Sequence, residues 1–289
     1  MIKTGLRVEE MGTKDVGGSV ESDSLRLEQE EEVVVMGLKF ILVDQNVGVC
    51  RGWRRWLSEA NSNVEVRNCA LDQAFGKDDN EDGFGVRRAI VSPGNSFGYL
   101  GGGFDLGIQE FFGGLEFEGY VREHLGFRYR PVGQTSVIPL SKRFEKKGFK
   151  YLIHAPTVVT PIFPFDASRS IVACAQTVFD VIWNLLESIP EDVEELILPG
   201  LGTGYVGIPP EISTISMAFA VRLYLAGGKI SQELKNVLIM LFLDQKYRPF
   251  IPDKCRVEAE KLGLNWDKIS AFDVRTSSLD KLLPMNICI

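Results

Sequence analysis

Twice in this chain a short apolar run gives way to glycine and then to a helical pattern. RRAIVS runs into PGNSFGYLGGGFD (residues 87–105), and EELILPG runs into LGTGYVGIPP (194–210). Both apolar runs have the length and the Ile/Leu/Val content of buried strands. Strand, glycine loop, helix is the connection of an α/β sheet, in which ligands gather at the carboxyl ends of the strands. Glycine there lets backbone come close to a ligand. A helix that starts just beyond adds partial positive charge. Two such loops side by side would cradle a phosphate, or both phosphates of a pyrophosphate.

The rest of the chain alternates in the same manner. LKFILVD (38–44), VEVRNCAL (64–71), VRRAIVS (86–92), QTSVIPL (134–140), FKYLIHAP (149–156) and EELILPG (194–200) read as strands. GVCRGWRRWLSEA (48–60) places Val49, Trp53, Trp56 and Leu57 on one helical face. Helical patterns follow at 104–112, at 115–125 and, most clearly, at 168–188, with Ser168 or Ser170 as N-cap. Another helix opens near Glu211 and stops at Gly227-Gly228. DQAFGKDDNEDGFG (72–85) reads as an acidic surface loop. NVLIMLFLD (236–244) reads as a continuous apolar strand, central and buried on both faces. Beyond residue 250 only DKCRVEAEKLG suggests a helix, and the last 25 residues read as a loosely packed extension. The expected fold is a three-layer α/β/α sandwich around a mixed, mostly parallel sheet over residues 37–250, followed by a C-terminal extension, 251–289.

Charge narrows the ligands. The net charge is −7, and the first 36 residues hold nine acids and four bases, so the tail carries −5 and the remainder about −2. Residues 1–36 read as a disordered acidic tail, and Met36 is an alternative start to Met1. Intact nucleic acid would want a basic surface, which the composition does not supply. No stretch reaches the ~18 apolar residues of a membrane span, and no secretory signal is evident. The five cysteines form no CxxC and there are only two histidines, His124 and His154. That argues against a zinc site and for reduced thiols in a cytosolic or nuclear compartment.

Two polar residues flank the triple glycine. Asn95 can donate to and accept from the hydroxyls of a sugar, and Asp105 can orient or deprotonate a water. Phosphate-binding glycines between them describe a site for a phosphorylated ribose. The bland alternatives are a turn-capping role for Asn95 and an N-cap role for Asp105. The second loop spells GxGxxG at Gly202–Gly207, but Pro209-Pro210 precedes its helix, and the nearest strand-end acid, Asp244, lies 37 residues past Gly207. A Rossmann dinucleotide site fits this poorly. Neither loop carries the GK[ST] of a P-loop, there is no GxSxG, and His154 reads as a packed strand histidine.

These motifs resemble the macro domain family, whose members bind ADP-ribose. The family's NAAN…GGGV motif is similar to SPGN-SFGYL-GGGFD here, and its STGVYGFP to GTGYVGIP. PVGQTSVIPL and KYLIHAPT resemble two of the family's strands, so the likeness spans roughly residues 64–247. It is nearest to a subgroup with SPANSFGxMDGGID, APT and PGLGTG motifs and an additional leading βα unit, here 37–63. The resemblance implies that Asn95 holds the distal ribose and that Asp105 is the hydrolytic aspartate, the two forming the catalytic pair. It implies that Gly101, Gly102 and Gly103 cradle phosphate, with Gly202, Thr203, Gly204, Tyr205, Val206 and Gly207 opposite. Tyr205 is the candidate wall for the distal ribose, although the family's aromatic stands one position later, at Val206. The first asparagine of the motif is Ser92 here, and the usual adenine-binding aspartate is missing from Cys69-Ala70-Leu71. Asp44 and Asp72 are the candidates to replace it, unless adenine is held without a carboxylate. Neither metal nor cofactor is required. The implied activity is hydrolysis of an ADP-ribose derivative, with a protein carboxylate, an acetyl group or a 1″-phosphate as leaving group. The alternatives are a non-catalytic reader of ADP-ribose or ADP-ribosylated protein, and the poorly matching Rossmann enzyme.

Overall fold

A computed structural model describes residues 37–57, 62–76, 85–161 and 170–288. The acidic tail, the middle of the 72–85 loop and Ser168 lie outside the described residues. In chain order the elements are β1 (Lys39–Val43), α1 (Val47–Leu57), β2 (Val64–Arg67), α2 (Leu71–Phe75), β3 (Arg88–Ser92), α3 (Gly103–Phe112), α4 (Leu115–His124), β4 (Ser136–Pro139) and β5 (Phe149–His154). Then come α5 (Ile171–Leu186), β6 (Glu195–Leu198), α6 (Pro210–Leu225), α7 (Gln232–Phe242), α8 (Asp253–Lys261), α9 (Trp266–Ser270) and α10 (Met285–Cys288).

The six strands form one sheet in the order β2-β1-β6-β3-β5-β4, parallel throughout except for β4. Side chains alternate across it, as the two-residue period requires. Phe40 and Leu42 enter one core and Ile41 and Val43 the other, and Leu196 and Leu198 likewise oppose Ile197. One core is closed by α1, α5, α6 and the C-terminal helices, the other by α2, α3 and α4. This is the expected three-layer sandwich. Every parallel strand points its carboxyl end the same way, so the loops after β1, β2, β3, β5 and β6 converge on one rim.

Three local expectations need correction. Residues 236–244 are not a strand. Residues 236–242 belong to α7, with Leu243 as its C-cap, and Leu234, Val237, Leu238, Leu241 and Phe242 are buried at helical spacing. The Ser231 hydroxyl caps that helix by accepting the Leu234 N–H (3.1 Å). The sheet also has no central vacancy for another strand, because β1 and β3 already flank β6. Second, VEVRNCAL leaves the sheet after Arg67, and Leu71–Phe75 form a short helix where a loop was expected. Third, the C-terminal segment is not loosely packed: Ile269, Phe272, Leu279, Leu282 and Leu283 are all buried in the first core. Arg222 of α6 clasps it. This buried guanidinium donates to the carbonyls of Trp56 and Leu283 (2.6 Å for Leu283) and pairs with Asp280 (2.7 Å). At α5, Ser170 occupies the N-cap position without a side-chain cap bond.

Candidate functional site

The first glycine loop is fixed to the sheet beyond the formal end of β3. The Ala155 N–H donates to the Ser92 carbonyl (2.9 Å) and the Thr157 N–H to the Gly94 carbonyl (3.0 Å), and Asn95 forms an isolated parallel bridge with Val158. The Thr157 hydroxyl adds a bond to the Pro93 carbonyl (2.7 Å). The APT segment therefore splints the SPGN segment. Farther along, Glu118 of α4 accepts from the Leu100 N–H (2.8 Å) and from the Gln109 side chain (2.9 Å), which ties the loop to the two helices below it.

Asn95 is held by its own loop. Its side-chain N–H donates to the Tyr99 carbonyl (2.8 Å), and its carbonyl oxygen accepts the Phe97 N–H (3.0 Å) and the Tyr99 N–H (3.4 Å). This is the turn-capping arrangement, and it shapes the loop at the mouth of the site. Asp105 behaves differently. It sits in the first turn of α3 but caps nothing; Gly102 holds the N-cap position. Asp105 is 7% exposed, and its carboxylate accepts one hydrogen bond, from the Ser92 hydroxyl (2.8 Å). Burial pushes it up from 3.8 to about 7, against the opposing pull of Ser92. On the other side of Ser92, its Oγ lies 3.4 Å from His154 Nδ1. His154 is fully buried, and burial first of all holds it down near 4, with the Asn95 backbone opposing and Arg130 reinforcing. Gly94 makes this set possible. A Cβ there would stand 2.8 Å from His154 Cε1, 3.2 Å from Ser92 Oγ and 3.3 Å from Asp105 Oδ2.

The second loop is anchored by Asp44. The register pairs Leu42 with Leu198, so the residues after these two strands, Asp44 and Gly200, come opposite each other. Asp44 Oδ2 accepts the Gly200 N–H (3.0 Å) and Oδ1 the Asn46 N–H (2.7 Å). Burial raises the Asp44 carboxyl, and the two N–H groups partly offset the rise. Within the loop the Ile208 N–H returns to the Gly202 carbonyl (2.9 Å) and the Gly207 N–H to the Gly204 carbonyl (2.9 Å). Tyr205 projects from this turn onto the first loop. Its ring edge is 2.8 Å from where a Cβ on Gly102 would stand, so only glycine lets the two loops meet there without displacing the ring.

Between the loops lies a cleft of about 1150 Å³. Of the residues singled out in the sequence, Asn95, Asp105, Gly101, Gly102 and Gly103 line it from one side. Gly202, Thr203, Gly204, Tyr205 and Val206 line it from the other. Asp44 and Asp72 both sit at the end formed by β1, β2 and α2, Asp72 exposed and Asp44 partly buried, beside Cys69 and Ala70. Gly207 does not line the cleft; it closes the turn behind it. The pairing of Ser92 with His154 was not foreseen. The two lie 62 positions apart, and only the parallel register of β3 on β5, which sets Ser92 opposite His154, brings them together. No group of three or more His, Cys, Asp or Glu side chains converges on a metal-sized site among the described residues.

Two glycine loops thus follow adjacent parallel strands, β3 and β6, with a buried carboxylate under one of them. A family model for the macro-like domain matches residues 28–288. This chain belongs to the macro-like domain family. An uncharacterized protein of Aquifex aeolicus (strain VF5) is similar to it, with 31% identity over 134 residues, 46% of this chain and 72% of that protein. The macro-like match extends over α8, α9 and α10 as well as the sheet. No helix among the described residues is long and apolar enough to cross a membrane.

Proposed function

We propose that this macro-like domain binds ADP-ribose in the cleft and hydrolyses an ADP-ribose derivative there. Candidate substrates are a mono-ADP-ribosylated protein or ADP-ribose 1″-phosphate. The observation that carries the reading is Asp105: a buried carboxylate at the cleft wall, raised to about 7 with no cation beside it among the described residues. A general base poised near the working pH is the state such a reaction needs. In this reading the backbone N–H groups of the two glycine loops take the pyrophosphate, with α3 adding its N-terminal dipole. Asp105 in its ionised form accepts a proton from a water as that water's oxygen attacks C1″. The C1″–O bond to the leaving group breaks, and the leaving oxygen keeps the electron pair. The carboxylate Asp44 and the exposed Asp72 are the candidates for the adenine end. Asn95 acts through the shape of its loop as well as by any direct contact with ribose.

A second reading, a reader without turnover, draws support from Asn95, whose amide is already engaged by Tyr99 and Phe97. Calorimetric titration with ADP-ribose, followed by product analysis on both substrates, separates the two. Hydrolysis that drops by ~10² or more in Asp105→Ala, with ADP-ribose affinity less affected, supports the hydrolase. Binding without turnover of either substrate supports the reader. Absence of ADP-ribose binding overturns both.

A further inference from the structure

Behind Asp105, away from the cleft, lie two groups that the hydrolytic reading does not use. Ser92 and His154 are fully buried at the paired ends of β3 and β5, and the Nε2 of His154 has no hydrogen-bond partner. A serine hydroxyl has a single hydrogen. With Asp105 ionised, that hydrogen is committed to the carboxylate at 2.8 Å. Toward His154 Nδ1, at 3.4 Å, Ser92 Oγ can then only accept, so Nδ1 must carry the imidazole proton. With Asp105 protonated, the carboxyl O–H donates to Ser92 Oγ, the serine hydrogen turns to Nδ1, and the imidazole proton must sit on Nε2. The histidine tautomer is therefore tied to the charge of Asp105 through one hydroxyl.

We propose that Ser92 and His154 are positioning residues forming a proton relay behind Asp105, in which a proton gained by the carboxylate is matched by a switch of the His154 tautomer. The balance is one proton. Bulk water supplies it to Nε2 when the buried ring is transiently uncovered by local opening; Nδ1 then releases its own proton to Ser92 Oγ as Ser92 gives its hydrogen to Asp105, and the reverse sequence restores the carboxylate and returns the proton to water. His154 stays neutral in both states, because burial keeps it from holding two protons. The charged and titratable groups acting on the relay are Asp105 from α3 and Arg130 from the segment after α4, while the Asn95 backbone favours a proton on the ring. Gly94 excludes any side chain from the middle of the set. The relay sets the charge of Asp105 between turnovers, not the transfer from the attacking water, and so bears on hydrolysis only if the hydrolytic reading holds; the tautomer switch can be observed without any ligand.

The test is imidazole ¹⁵N spectroscopy on the ligand-free, full-length protein. The chain has only two histidines, and the exposed His124 can be replaced by Gln to leave one ring signal. Well above the Asp105 midpoint of about 7, Nδ1 should be the protonated nitrogen and Nε2 the bare one. As the pH falls through that midpoint the two nitrogens should exchange roles, in step with the ¹³C signal of the Asp105 carboxyl. In Ser92→Ala the carboxyl should still titrate, at a higher midpoint because a donor to the ionised form is gone, while the histidine no longer follows. A proton on Nε2 at high pH in the parent protein, or an Asp105 titration that leaves His154 unchanged, overturns the relay; neither result depends on Ser92→Ala folding. If ADP-ribose fails to bind while the nitrogens still exchange roles, the ligand reading has failed and the relay stands.

Discussion

Asp105→Asn should make this protein more stable, and only above acidic pH. The folded state holds the Asp105 proton until about pH 7, whereas the unfolded chain releases it near 3.8. Between those values the native state binds more protons than the unfolded state, so the carboxyl's contribution to stability falls as pH rises. At about 1.4 kcal/mol per pH unit, the full loss is roughly 4 kcal/mol, reached above pH 7 and absent below 3.8. The amide of the variant would present a carbonyl oxygen to the Ser92 hydroxyl and no charge to the interior. The parent protein's own profile would hide the effect. His154, held near 4 against 6.5 unfolded, acts in the opposite sense, and its contribution is lost as pH falls through that window. The difference between Asp105→Asn and parent removes the part of the histidine contribution common to both proteins and leaves the carboxyl together with its coupling to His154. Urea unfolding at a series of pH values should show a stabilisation near zero at the acid end, growing to roughly 3–4 kcal/mol above pH 7. That corresponds to a rise in Tm of roughly 6–16 °C for a chain of this size. A difference that is flat with pH, or that grows toward acid, would refute the account of Asp105 as a buried, unpaired carboxyl.

Three further outcomes follow from named contacts. Arg222→Met should leave the carbonyls of Trp56 and Leu283 without their donor and lower stability by roughly 2–6 kcal/mol; urea unfolding within about 1 kcal/mol of the parent would show that the C-terminal clasp does not depend on Arg222. Gly94→Ala should force the His154 ring to shift, because the new methyl would stand 2.8 Å from Cε1. A loss of about 1–3 kcal/mol with altered His154 NMR signals is expected, and an unshifted ring would count against the packing described. Tyr205→Ala should leave stability within about 0.5 kcal/mol, since the side chain is 63% exposed. ADP-ribose affinity measured by calorimetry should fall roughly 3- to 10-fold if the ring walls the ligand; unchanged affinity would remove Tyr205 from the site.

Much of the sheet was legible because its strands are short apolar runs punctuated by glycine, proline or charge. KFILV and ELIL have nothing else to become within four or five residues. NVLIMLFL was misread for the converse reason: when both faces of a segment are largely apolar, a helix and a buried strand look alike. Its cap, Ser231, was the available signal, together with the straight-chain Leu and Met that favour helix. The C-terminal packing turns on Arg222, a charged residue in a helix whose burial no local pattern announces. At the site, the two glycine loops and Asp105 could be found from spacing along the chain, and 12 of the residues singled out line the cleft. The Ser92–His154 pair could not, since it depends on strand register across 62 positions. Asn95 shows a different limit. Its residue type fits both a sugar contact and a loop cap, and only the hydrogen bonds reveal that it serves its loop.

The protonation of Asp105 bears directly on the choice between hydrolase and reader. Burial alone raises a carboxylate, and structural ion-pair networks also perturb such groups. Here the causes are burial and a single hydroxyl. The glycine loops are fixed by Glu118, Asp44 and the APT splint, none of which involves Asp105, so the carboxyl is not needed to shape them. Asparagine would fill the same volume at lower free energy. Where activity uses an ionisable group, stability is commonly traded for it. The two properties are then expected to part in one variant: Asp105→Asn should be the more stable protein and the inactive one. An Asp105→Asn protein that is more stable and hydrolyses substrate as fast as the parent would leave the buried carboxyl without a catalytic role.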